Sequence, residues 1–149
     1  EIRTHLSHAI IASLPKADIE ALASALAEIT AAAKKFAERA ELADEKQEAV
    51  DFSPAFTWIE ELSDVLLDMI RQLRGFESLD RIKGLYERLE RMAERAETLT
   101  DGIVAQAFQP PATPLHTVMV KDLGERLQTI IDRCREAGQL MNKISYRFF

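Results

Sequence analysis

Apolar residues recur every three or four positions through most of the chain, the spacing of helices that each bury one side. Ile2, Leu6, Ala9, Ile10 and Ile11 predict the tail of a first helix over 2–13. Pro15 ends it, because proline has no N–H to donate and restricts the residue before it. The same proline suits the first turn of the next helix. That helix is rich in alanine, the strongest helix former, and its stripe is Ile19, Leu22, Leu26, Ile29, Ala33, Phe36 and Ala40. The polar stretch 43–51 reads as a connection. Ser53 and Pro54 predict an N-cap and first-turn proline for a third helix with Ile59, Leu62, Leu66, Met69 and Leu73 inward. Gly75 predicts a left-handed stop with Phe76 packing back on the last turn, and Ser78 predicts the next cap. The fourth helix is striped by Ile82, Leu85, Leu89, Met92, Ala96, Leu99 and Ile103. After a loop at 109–114, Thr113 and Pro114 repeat the cap-and-proline start. The last helix then carries Leu123, Leu127, Ile130, Cys134, Ala137, Met141 and Ile144. No segment alternates with the period of a strand. The expected fold is all-α, an antiparallel up-and-down helical bundle forming a single domain over 1–149.

The last two helices resemble each other. The segment KGLYERLERMAERAE at 83–97 returns thirty-eight residues later as KDLGERLQTIIDRCR at 121–135. Lys83/Lys121, Leu85/Leu123, Glu87/Glu125, Arg88/Arg126, Leu89/Leu127 and Arg95/Arg133 are identical pairs, and Glu90/Gln128 and Glu94/Asp132 are chemically related. A fixed offset seen twice suggests duplicated helical hairpins. Gly84 and Gly124 stand inside the two copies. Each costs about 1 kcal/mol against alanine in a helix, so each predicts a close helix contact or a bend.

Composition narrows the function more than the fold. The 149 residues are 47% hydrophobic and 30% charged, ordinary for a folded chain. The net charge of −6, with basic and acidic residues interleaved, argues against a nucleic-acid partner. No apolar run reaches the length of a membrane span, since three prolines interrupt the longest uncharged stretch, 102–120. One cysteine, Cys134, forms no internal disulfide and fits a reducing compartment. The chain begins at Glu1 within a helical pattern, so further residues upstream are expected.

The candidate chemistry is oxygen-based. Glu90 and Glu94 are four apart on one helix, and Gln128 and Asp132 stand in the same relation on the next. Residues so spaced share a helix face, and hard cations take oxygen ligands. These four side chains are therefore the candidate metal ligands, lying on the bundle surface. The alternative is an ordinary solvated face, which any bundle needs. His5 and His8 make half a zinc site at most, His116 has no evident partner, and Cys134 reads as a small buried hydrophobe. Phe56 and Trp58 read as core or interface. The Glu-x-x-His spacing of di-iron bundles is absent, as are a phosphate-cradling glycine loop and a zinc-protease helix motif. The expectation is a protein without catalytic activity.

Leu14, Asp18, Ile19 and Leu22 at the second helix, Leu89, Glu90, Ala93 and Glu94 in the fourth, and Asp132, Arg133 and Cys134 in the last carry a resemblance. The chain is similar to the PhoU-like proteins of the branch associated with Pit-type phosphate transporters. The resemblance implies a six-helix PhoU-like bundle in two related halves, often homodimeric. It implies a cytoplasmic regulator or accessory protein of inorganic phosphate transport, with the transporter or another regulatory protein as partner. It also implies a divalent or iron-type metal on the bundle surface, held by Glu90, Glu94, Asp132 and Gln128. Ala27, Ala31 and Lys34 stand where acids are common in that family, and only Glu28 remains, too few carboxylates for a multinuclear cluster. A generic helical dimerisation module is the further alternative.

Overall fold

A computed structural model describes residues 15–75 and 79–148. It contains four helices: α1 (Lys16–Glu45), α2 (Ser53–Gly75), α3 (Leu79–Gln106) and α4 (Pro114–Phe148). No strand occurs among the described residues. The expected helix over 2–13, with His5 and His8, lies outside them, as do Phe76 and the Ser78 cap. Gly75 is the last residue of α2, and no glycine among the described residues takes a positive φ, so the expected left-handed stop is not formed there.

The stripes of α2, α3 and α4 make the core. Leu62, Met69, Ile82, Leu89, Leu127, Ile131, Met141 and Ile144 have almost no solvent exposure. Every residue of the stripe expected for α4 is buried, and so is every residue of that for α2. At 1.5 Å per residue the 35 residues of α4 extend about 52 Å, so α4 serves as the spine. Helices α1 and α3 both pack along it, and α2 packs chiefly on α3. The directions are antiparallel. Asp18 meets Arg147 while Arg39 meets Asp122 across α1–α4, and Glu61 meets Arg88 across α2–α3.

Helix α1 turns five of its seven expected stripe positions toward the core, with Leu22, Leu26, Ile29 and Ala40 partly buried against it beside Phe36. Only Phe36 of the seven positions is buried, together with Ala32 and Ala43, while Ala33 is exposed and Ile19 is 49% exposed. Among the described residues α1 packs chiefly on one helix, α4. A helix held from one side needs only a narrow apolar seam. Its one further anchor is aromatic. Phe36 packs edge-on against Phe52, at 6.0 Å between ring centroids, and against Phe56, at 5.1 Å. Such edge-to-face pairs contribute about 0.5–1.5 kcal/mol beyond the area they bury.

Two helix ends depart from expectation. Helix α1 runs on to Glu45 instead of giving way at 43. It closes with Gln47 at a φ of 57°. The Glu48 N–H donates to the Ala43 carbonyl and the Gln47 N–H to that of Asp44, the paired bonds of a Schellman cap. A glycine normally marks that position, and its absence is why the end was hidden. At α2, Ser53 is not the cap. Asp51 Oδ1 accepts from the Ser53 N–H at 2.9 Å, and the Phe52 carbonyl accepts the first bonds of the helix. Hydrogen bonds from the Ser53 hydroxyl and backbone N–H hold Asp51 below the usual carboxylate range. Thr113 does cap α4 as expected, its hydroxyl accepting from the His116 N–H at 3.2 Å.

The two glycines of the repeat also part company. A Cβ on Gly84 would meet open space, so neither a close contact nor packing accounts for it. On Gly124 a Cβ would overlap Val104 and touch Thr100. Gly138, not singled out from the sequence, does the same against Leu89 and Tyr86. Gly124 and Gly138 let α3 and α4 approach closely at two separate levels.

Candidate functional site

The α3–α4 seam, pulled tight by these glycines, brings part of the predicted oxygen set together. Glu90 and Glu97 project from α3, and Gln128, Asp132 and Arg135 from α4. Gln128 Nε2 donates to Glu97 Oε1 at 2.7 Å and to Asp132 Oδ1 at 3.0 Å. Arg135 Nη1 donates to the same Glu97 oxygen and lies 3.9 Å from Asp132, while its Nε lies 3.4 Å from Glu90 Oε2. The 38-residue offset relates these contacts. It carries Glu90 onto Gln128 and Glu97 onto Arg135, so the Glu90–Arg135 and Glu97–Gln128 contacts are equivalents with partners exchanged. Complementary groups thus stand opposite one another across an antiparallel pair.

Arg135 is the centre of the cluster, with 20% of its side chain exposed, and Asp132 its most open member at 52%. Burial alone would raise Glu97, but hydrogen bonds from Arg135 and Gln128 and the nearby guanidinium charge outweigh it and hold the carboxyl low. The same Glu97 contact holds Arg135 in its charged form more firmly than usual. Burial, then the Glu90 charge, pushes the Tyr86 phenol up. Glu90 Oε1 and Arg135 Nε are buried without a hydrogen-bond partner.

Three of the four predicted metal ligands, Glu90, Gln128 and Asp132, thus gather around a guanidinium, which already supplies the positive charge a cation would bring. Glu94 is not part of the gathering. It lines a shallow groove with Trp58, Arg91, Arg95, Thr98 and Leu99. Among the described residues no three His, Cys, Asp or Glu side chains are grouped so as to hold a metal ion. Arg135 was the group that the sequence reading missed. Nothing in the spacing of the sequence sets Arg135 beside Glu97; the contact comes from the way α3 and α4 pack.

The remaining singled-out residues have structural partners. His116 Nδ1 lies 2.7 Å from Glu48 Oε2, tying the end of α1 to the first turn of α4. Glu48 is carried there by the left-handed Gln47. Cys134 is fully buried, and burial pushes its thiol up to about 11, so it behaves as a hydrophobe. Asp18, 8% exposed, takes both oxygens to Arg147 Nη1 at 2.8 and 2.6 Å, joining the first turn of α1 to the last turn of α4. Glu28 lies 3.5 Å from Arg133 Nε, one of the more exposed pairs along α1–α4. Phe56 joins the aromatic anchor, and Trp58 carries the Arg95 guanidinium on its face at 4.9 Å. No described helix is long and apolar enough to cross a membrane. No protein-family model, curated protein or solved structure matches the chain.

Proposed function

We propose that this chain is a non-catalytic regulator or accessory protein of inorganic phosphate transport, working by protein–protein contact. It acts from the cytoplasmic side and as a homo-oligomer, with the transporter or a further regulatory protein as its partner. The phosphate part of the reading rests on the sequence resemblance at Asp18, Ile19 and Leu22, at Leu89 and Glu90, and at Asp132, Arg133 and Cys134. The contact part rests on one observation: large apolar side chains stay in solvent where α1 ends and α4 begins. Leu42 is 39% exposed, Leu115 54% and Val118 65%. Leu42 and Val118 line a common depression with Arg39, Met119 and Asp122. Clustered apolar exposure on a folded surface marks interaction sites.

Affinity capture of the tagged full chain from membranes of phosphate-limited cells tests the proposal. The expected result is recovery of an inorganic phosphate transporter, reduced by the double change Leu115→Asp, Val118→Asp. Recovery of no membrane partner, with uptake unaltered when the chain is deleted, would sink it.

A further inference from the structure

We propose that the groove at Trp58, between α2 and α3, docks an acidic helical segment of a partner protein. The groove is lined by Trp58, Arg91, Glu94, Arg95, Thr98 and Leu99. Among the described residues its two arginines, like Arg74, lack the carboxylate partner that most arginines of this molecule have. Arg39, Arg71, Arg88, Arg126, Arg133, Arg135 and Arg147 all reach carboxylates. Arg91 and Arg95 have no carboxylate partner among the described residues, although acids outnumber bases 25 to 19 in the chain. Arg95 instead lies over the Trp58 indole at 4.9 Å.

That stacking defines what the groove can bind. A guanidinium laid on an aromatic face uses its own face and leaves the in-plane N–H donors at its edge. Those donors match a carboxylate in a two-point contact. The indole also limits where the guanidinium can go, so less rotamer freedom remains to be lost on binding. Arg91 repeats the charge one helical turn away, about 6 Å along α3. A partner helix with acids four apart presents carboxylates at the same pitch. Trp58 and the half-buried Leu99 give an apolar floor for a side chain between them. A small inorganic anion fits this surface less well. The arginines are exposed, the groove is open, and the Glu94 carboxylate within it repels a compact dianion. An extended ligand can set its acids on the arginines and clear of Glu94.

The inference rests on the chain being a protein-contact module but not on phosphate. Binding of an acidic helix without any tie to phosphate uptake would retain the groove and lose only the regulator reading. Trp58 is the one tryptophan of the chain, so its emission reports on this groove alone. The probe is a fluorescein-labelled helical peptide with glutamates four apart and a leucine between them. It is titrated against the full chain beside a lysine-for-glutamate control and inorganic phosphate. The expected result is saturable anisotropy with a matching change in Trp58 emission, weakening as salt is raised. The double variant R91E/R95E, at exposed positions that leave the fold intact, should weaken binding at least tenfold. No saturable binding, equal binding by R91E/R95E, or the same Trp58 response to phosphate alone would overturn the proposal.

Discussion

Replacing Arg135 by methionine isolates the polar cluster at the α3–α4 seam. Methionine keeps much of the stem's volume, so the loss is mainly of charge and hydrogen bonds. Exposed ion pairs contribute up to about 1 kcal/mol, whereas stripping one partner from a fully buried pair costs about 3–5 kcal/mol. With 20% of the Arg135 side chain and 27% of the Glu97 side chain exposed, this pair falls between those limits. The expected destabilisation is about 2 kcal/mol at pH 7, or roughly 4–8 °C in melting temperature for a domain of this size. The pH dependence tests the cause. Glu97 is held below its ordinary value of 4.5 in the folded chain. Its stabilising contribution is therefore complete above that value and is lost as pH falls through the lower, folded-state value. The gap between native chain and Arg135→Met should be widest at pH 7 and should close in that acidic window. Urea unfolding at a series of pH values measures it, and Glu97→Gln added to Arg135→Met should recover part of the loss. A gap under about 0.5 kcal/mol, or one of constant size from pH 7 to pH 3, would refute the reasoning.

Gln47→Gly should stabilise the chain by about 1 kcal/mol in urea unfolding, because glycine removes the side-chain penalty at a positive φ. Gly84→Ala should raise stability by about 1 kcal/mol, since its Cβ meets nothing, whereas Gly138→Ala should lower it, since Leu89 is fully enclosed and has nowhere to turn. Cys134 should resist alkylation by iodoacetamide at pH 8 for as long as the chain stays folded and should react promptly in urea, followed by mass spectrometry. Amide hydrogen exchange should be faster in the first half of α1, around Ile19–Ile29, than in α3 or α4, because among the described residues that half packs chiefly on α4 and its apolar residues are only partly buried.

The sequence pattern located helices α2, α3 and α4 well, because each is enclosed on enough of its circumference for a three-and-four spacing to survive. It found the seam of α1 as well, but set that seam's edges too wide. Periodicity reports that one face is apolar but not how far each position is enclosed, and among the described residues Ile19 and Ala33 lie at the open edge of the seam. Helix ends were legible where local chemistry is conventional, as at Thr113 and Pro114. They were hidden where Gln47 takes a glycine's place and where Asp51 caps in front of Ser53. At the site, four-residue spacing correctly put Gln128 and Asp132 on one face, but helical geometry alone could not say which face of α4 meets which face of α3. That register comes from Gly124 and Gly138, and it brought Arg135 among the acids while leaving Glu94 with Trp58 and two arginines. The His116–Glu48 pair spans 68 residues and has no local signature.

The attachment of α1 gives the molecule an order in which it comes apart. Among the described residues the first half of α1 is fastened to the spine by one seam, the Asp18–Arg147 clasp and the Glu28–Arg133 pair, and it is pinned further along by the Phe36 rings. Detaching it would bare one flank of α4 while the three-helix remainder kept most of its interior. Removing the Asp18 carboxylate by substitution, or supplying a competitor for Arg147, would loosen this flank at its tip, and the separation would travel toward Phe36 like a zip.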